Sequence, residues 1–231
     1  MTGALLEVML PVFLIVGVGF LLARIFVIDQ LGLNRVQLYA LTPALAYTSL
    51  MNTTVTGDAV GQLVLGFVVV TALAGLLATL ITRVMPGPGR RGTIAAVVLG
   101  NNGNFGLPIA LLALGEEGLG QAVVIMVCAV FTMWTVGPAL FGGEVNLKSA
   151  TRNIVRLPVI WAMLIAVFFR LVEFVPPVGI ATAIDMISDA SIPLILIALG
   201  LQLGYSDRIV INRTVVVAVL LRLVVVPLIA L

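Results

Sequence analysis

Side chains able to do chemistry are few in this 231-residue chain. Histidine is absent and cysteine occurs once, at Cys128. That excludes the commonest general base, the commonest metal ligand and any disulfide within the chain. No serine sits in a nucleophile elbow, and neither a P-loop nor a dinucleotide fingerprint occurs. What remains is amide chemistry. The stretch "LGNNGNFGLPIA" (99–110) gathers Gly100, Asn101, Asn102, Gly103, Asn104, Gly106 and Pro108 inside an apolar run. Asparagine donates and accepts hydrogen bonds without charge, and glycine and proline interrupt helices. These types suit a binding site rather than a reaction, so the chain reads as no enzyme, with no bound cofactor or metal.

The elements that must position this cluster are membrane spans. The chain is 61% hydrophobic and 10% charged, with a mean hydropathy of +1.26, whereas soluble domains carry roughly 25% charged residues. Runs near 20 residues, the length that crosses a ~30 Å hydrocarbon core as a helix, recur at 5–27, 32–51, 59–82, 93–114, 119–141, 157–175, 179–204 and 214–231. They do not alternate apolar and polar residues as barrel strands do. The expectation is an all-α polytopic membrane protein with eight spans.

Charge sets its orientation. Arg24 and Arg35, then Arg83, Arg90 and Arg91, then Lys148, Arg152 and Arg156, then Arg208 and Arg213 fall in odd-numbered connections. The second and fourth connections carry only Asp58, Glu116 and Glu117. The positive-inside rule puts the odd connections in the cytoplasm and the N-terminus outside. No basic n-region precedes the first span, so the expectation is that this span remains in the protein. The net charge of +2 marks topology and gives no sign of a nucleic-acid partner. Arginine-rich, lysine-poor usage suggests a bacterial cytoplasmic (plasma) membrane.

Two stretches repeat. "LPVFLIVGVGFLLAR" (10–24) matches "LPVIWAMLIAVFFR" (157–170), and "LTPALAYTSL" (41–50) matches "SIPLILIALGL" (191–201), in the same order. The offset is five spans, an odd number, so the copies face opposite ways, as in many secondary transporters. Residues 1–141 then form a first five-helix repeat, 142–156 a cytoplasmic linker, and 157–231 an incomplete second repeat. Eight of an expected ten spans are present.

The Asn-Gly cluster lies 8–11 residues into the fourth run, ~12–16 Å deep at 1.5 Å per residue. Open backbone at that depth is tolerated only when it is buried in protein or lines a cavity. The second half-helix would offer its positive N-terminal end there. Asn101, Asn102, Gly103, Asn104, Gly106 and Pro108 read as an uncharged cradle for a small carboxylate. Close helix packing by small and polar residues is the plainer account. A cluster of this density at mid-depth favours the cradle.

"NNGNFGLPIA" resembles the broken fourth helix of the auxin efflux carrier family, bacterial relatives of the plant PIN transporters. "LNRVQLYALTPALAYTSL", "SIPLILIALGLQL" and "RLVVVPL" are similar in type and order. The resemblance implies a bile acid sodium symporter-like fold with inverted five-helix repeats and a broken crossover helix. It implies transport of organic anions, including dicarboxylates such as malonate. Where members often have Asn-Pro, this chain has "NIVRLPVIWA", and no role is attached to that site.

Other polar residues are weaker candidates. Arg222 lies ~13 Å deep by helical rise, where an arginine needs a partner. Asp189 is at similar depth, and the two read equally well as a structural pair and as a coupling or anion-attracting element. Asp185 reads as interfacial. Thr42, Pro43, Tyr47, Ser49, Ser188, Ser191 and Pro193 are possible pathway lining, with packing the better account of each. The function expected is secondary active transport, as an efflux carrier, of a small organic anion by alternating access. An anion channel or a membrane-bound anion sensor is the alternative. Proton or sodium coupling stays open, and the expected partners are the anion, the bilayer and a second copy in a homodimer.

Overall fold

The computed structural model describes residues 2–53, 57–85, 87–141, 147–206 and 211–230, and every element among them is helical. Arg208 and residues 142–146 of the expected linker lie outside these ranges. Five stretches are long and apolar enough to cross a membrane: Leu6–Ile25, Gly57–Val84, Gly89–Leu140, Val178–Tyr205 and Arg213–Ala230. Lys148–Val155 and Pro158–Leu171, bent by 66°, make a sixth if taken together. Large apolar side chains such as Phe13, Leu65, Phe168 and Leu223 are exposed along them, as helices dissolved in hydrocarbon require. This is an all-helical, multi-pass membrane protein.

The runs read as spans four and five lie in one stretch, Gly89–Leu140, of 52 residues. Straight, it would measure ~78 Å, more than twice the hydrocarbon thickness. Two interruptions divide it. Residues 99–101 separate α5 (Gly87–Val98) from the next helical turn. Within α6 (Leu107–Leu140), Gly115 takes φ 71 and ψ −162, a backbone that only glycine adopts readily. The run 32–51 is also not uniform: α2 (Gln30–Val36) passes through a widened turn into α3 (Thr42–Asn52).

Three such π-helical turns occur among the described residues, at Gln37–Leu41, Asn102–Gly106 and Leu221–Val225. Each is followed at the second residue by a proline: Pro43, Pro108 and Pro227. The cause is local. Proline has no N–H, and its ring crowds the carbonyl four residues earlier. Widening the turn relieves the clash by shifting bonds to i−5, as where the Thr42 N–H donates to Gln37 O and the Val226 N–H to Leu221 O. Such turns gather at functional sites, and here they carry Gln37, Asn102, Asn104 and Arg222.

The chain forms two compact units. The first comprises residues 1–55, 102–123 and 155–207. In it α1 (Thr2–Ile25) packs against α9 (Val178–Tyr205), and α3 against α8 (Pro158–Leu171). A Cβ on Gly19 would strike Ile197 O, and one on Gly200 would strike Val16 O, so α1 and α9 touch backbone to backbone. Close approach through small residues is how helices associate without a hydrophobic drive. The Tyr205 hydroxyl ties the ends of this pair, accepting from Ile28 N at 2.7 Å and donating to Phe26 O at 3.0 Å. The second unit comprises residues 56–101, 124–154 and 208–231. Its core is Ala74 and Ala78 of α4 (Gly57–Ile81), Ile94 and Val97 of α5, and Leu221. The helices α10 (Arg213–Leu220) and α11 (Val226–Ala230) continue one another across the turn holding Leu221.

Candidate functional site

The interruption predicted from the asparagines is present and falls slightly earlier than Gly103 and Gly106 suggest. α5 makes its last bond from Leu99 N to Ala95 O at 2.8 Å. Leu99, Gly100 and Asn101 are non-helical, and helical geometry resumes at Asn102 as the widened turn before Pro108. α5 has 12 residues, ~18 Å, too short to cross a ~30 Å core alone. The second half, from Asn102 to Leu114, is of similar length before the Gly115 kink. The chain passes from the second unit to the first between Asn101 and Asn102.

On the second-unit side, ending α5 leaves its last carbonyls without i+4 donors. Arg222 supplies one: its Nη1 donates to Val97 O at 2.6 Å. A cation there also opposes the negative end of the α5 dipole. The partner found for Arg222 is thus a backbone carbonyl of its own unit, whereas the sequence suggested an acid. Asp189, the acid suggested, belongs to the first unit and is exposed.

On the first-unit side, Asn104 Oδ1 accepts from Gln37 Nε2 at 2.9 Å, so two of the three widened turns are joined by their side chains. Gln37 is buried. Pro108 is among the most fully buried residues, wedged at the start of α6. Asn102, Gly103 and Gly106 complete the turn, and Asn101 is exposed in the non-helical link. Reading the sequence missed Gln37. Its signal was spacing, since Gln37 precedes Pro43 by the same interval that separates Asn102 from Pro108.

Interrupted apolar helices near mid-membrane occur at the substrate sites of many secondary transporters. Residues 4–145 and 144–231 match the family described as "Membrane transport protein". The chain belongs to this family. The resemblance to the auxin efflux carriers drawn from the Asn-Gly motif is borne out.

Relatives of this transport protein carry transporter names. It is 32% identical over 216 residues to an "Uncharacterized transporter" of Methanothermobacter thermautotrophicus, covering 86% of this chain and 68% of that one. It is 27% identical over 215 residues to a "Putative malonate transporter" of Rhizobium meliloti, covering 84% of this chain and 65% of that one. A second "Uncharacterized transporter", from Methanocaldococcus jannaschii, is 32% identical over 118 residues, which is 38% of its length.

The remaining candidates of this transport protein fall in the first unit. Ser191, fully buried, places its hydroxyl 2.9 Å from Leu41 O and 3.1 Å from Ile187 O. It therefore supports the last carbonyl of the widened turn that carries Gln37. Thr42 gives its backbone N–H to that same turn. Pro43 and Tyr47 line an apolar groove of about 310 Å³ with Ile165, Phe169 and Ile184. The Tyr47 and Ser49 hydroxyls are buried without a partner. Pro193 is internal to α9 and exposed, and Ser188 is buried. Asp185 Oδ1 lies 3.5 Å from Thr48 Oγ1. In the other spans Thr79, Thr82, Thr93, Thr132 and Thr135 donate to carbonyls four residues back, a local bond that asks for no ligand.

Proposed function

We propose that this protein is a secondary transporter of a small organic anion, a dicarboxylate of the malonate class, bound at the interrupted helix. The observation that carries the reading is the helix that stops at Val98, with its open carbonyl end occupied by Arg222. A bare carbonyl end repels anions and attracts cations. Beyond that stop, the turn Asn102–Gly106 of the first unit is rich in amides and free of charge, and such a turn favours an anion. The relative named for malonate supplies the substrate class.

Packing in the first unit supports inverted repeats. If the first span corresponds to α8 and the second to α9, then the contact of α1 with α9 has as its counterpart the contact of α8 with α3. Both pairings are observed. Eight spans, an outside N-terminus, residence in a bacterial cytoplasmic membrane and export as the working direction belong to the same reading. Its test is counterflow in liposomes: preloaded unlabelled malonate should drive saturable, transient accumulation of labelled malonate. Uptake that never overshoots equilibrium describes a channel, and binding without uptake describes a sensor.

A further inference from the structure

The groove bordered by Tyr47 of α3, by Ala162, Ile165 and Phe169 of α8, and by Ile180 and Ile184 of α9 holds about 310 Å³. All of these residues belong to the first unit. Along α8 they fall at i, i+3 and i+7, one face of the helix, and cover ~10 Å at 1.5 Å per residue. The groove therefore runs along the helices and begins two residues short of Leu171, where α8 ends. Its wall is set in advance. The Phe169 ring stands edge-on to Tyr47, centroids 6.4 Å apart, and lies 4.6 Å from the ring of Phe174. The lining side chains carry no charge and no amide, so a small carboxylate is a poor occupant. Hydrocarbon fits, yet lipid tails are as apolar as the lining itself, and an apolar groove gains nothing by preferring one tail. An ordered chain needs its polar end held.

Arg170 can hold it. It follows Phe169 in the last turn of α8, is exposed, and its Nη1 donates to Leu50 O at 2.9 Å. Leu50 lies three residues beyond Tyr47 on α3, ~4.5 Å further along the axis. The guanidinium thus stands just past the end of the groove. Arginine has five N–H donors in a planar fork that matches phosphate. Its partner here is a neutral carbonyl, so the bond steadies the fork and leaves its charge in place. An unanchored arginine at a span end snorkels among passing headgroups, whereas one tied to the end of α3 marks a single position.

We propose that the first unit binds one phospholipid, with an acyl chain in the groove and the phosphate on Arg170. The lipid comes from the leaflet that surrounds the ends of α3 and α8. It unites an apolar stem with an anionic head in the order in which the groove and the guanidinium follow one another. Bound there, it touches α3, α8 and α9 together and stabilises their packing by mass action.

Native mass spectrometry of the detergent-solubilised protein tests this with dioleoyl phosphatidylglycerol and dioleoylglycerol, which share their chains and differ in the phosphate-bearing head. The parent should retain one phosphatidylglycerol per chain, roughly tenfold more tightly than dioleoylglycerol, the scale of one charge-assisted hydrogen bond. Arg170→Gln, neutral but still a donor, should bring phosphatidylglycerol down to the affinity of dioleoylglycerol. Ala162→Phe puts bulk into the groove and should weaken both probes; Ile165→Trp serves if that variant does not fold. Equal affinity of the parent for the two probes overturns the proposal and needs no variant, so it decides even if Arg170→Gln fails to fold. Unchanged phosphatidylglycerol binding in Arg170→Gln, or in the groove variants, overturns it as well. A dimer that dissociates in Ala162→Phe while lipid retention holds means that a second copy fills the groove, and the lipid reading falls.

Discussion

Arg222 Nη1 donates to the carbonyl of Val97 at 2.6 Å, joining the widened turn of the last span to the end of α5. The bond satisfies a carbonyl that has no donor four residues ahead, because the helix stops. Replacing Arg222 by leucine opens that carbonyl, a loss of ~1–3 kcal/mol for a buried unpaired group, read as a lower Tm in detergent. Arg222→Lys should recover part of it, as a cation able to donate. Adding Asp189→Asn to Arg222→Leu should recover nothing, because the Val97 carbonyl stays open. Full rescue by the double variant would show that the acid, rather than the carbonyl, is the partner of consequence.

The backbone contact between α1 and α9 predicts a sharp hierarchy among glycines. A Cβ on Gly200 would lie 2.8 Å from Gly19 Cα and against Val16 O, all backbone, with no side chain able to move aside. A Cβ on Gly75 would meet only Val98 Cγ2, at 3.1 Å. Gly200→Ala should therefore cost more than the ~1–3 kcal/mol typical of overpacking, and Gly75→Ala less. Thermal unfolding of the two variants decides it; equal Tm values would mean the α1–α9 crossing is looser than drawn.

The prolines give a prediction of opposite sign for stability and function. Pro108→Ala restores an N–H able to reach Asn104 O, and the turn should tighten to an α-helix. Helix propensity favours the change by ~3 kcal/mol, so Tm should hold or rise. The tightened turn rotates Asn102 and Asn104 away from their present directions, and transport should be lost. Pro227→Ala should act alike on Arg222, swinging the guanidinium off Val97 O. Measuring counterflow and Tm on the same preparations separates this outcome from simple misfolding, which lowers both.

How far these features were readable follows from their physics. Composition and run length expose the lipid environment, because each span is tested against the same 30 Å slab. The Asn-Gly-Pro cluster exposes the broken helix, because several breakers coincide at mid-depth. The widened turns were not readable as such: a proline in an apolar run announces a lost hydrogen bond but not how the helix repairs it. Arg222 was recognised as needing a partner, yet a search for an opposite charge passes over a backbone carbonyl, which has no letter in the sequence. Gln37 was hidden by being a single amide, and Gly200 with Gly204 by reading as ordinary small residues, although their spacing is that of a helix-packing pair.

The asparagines themselves should not be equivalent. Asn104 is engaged by Gln37, so Asn104→Ala removes an acceptor from a buried donor as well as a group from the turn. It should lower both Tm and malonate affinity. Asn101 lies exposed in the non-helical link, so Asn101→Ala should weaken binding with less effect on Tm than Asn104→Ala. Asn102 begins the widened turn, six residues before Pro108, and should resemble Asn101 in binding. For each residue that meets the anion the affinity loss should be ~1–3 kcal/mol, the cost of an unmatched polar group. Calorimetry with malonate on the three single variants, each with its Tm, makes the distinction. If all three keep the parent affinity while Tm falls, the asparagines are packing residues and the anion is bound elsewhere.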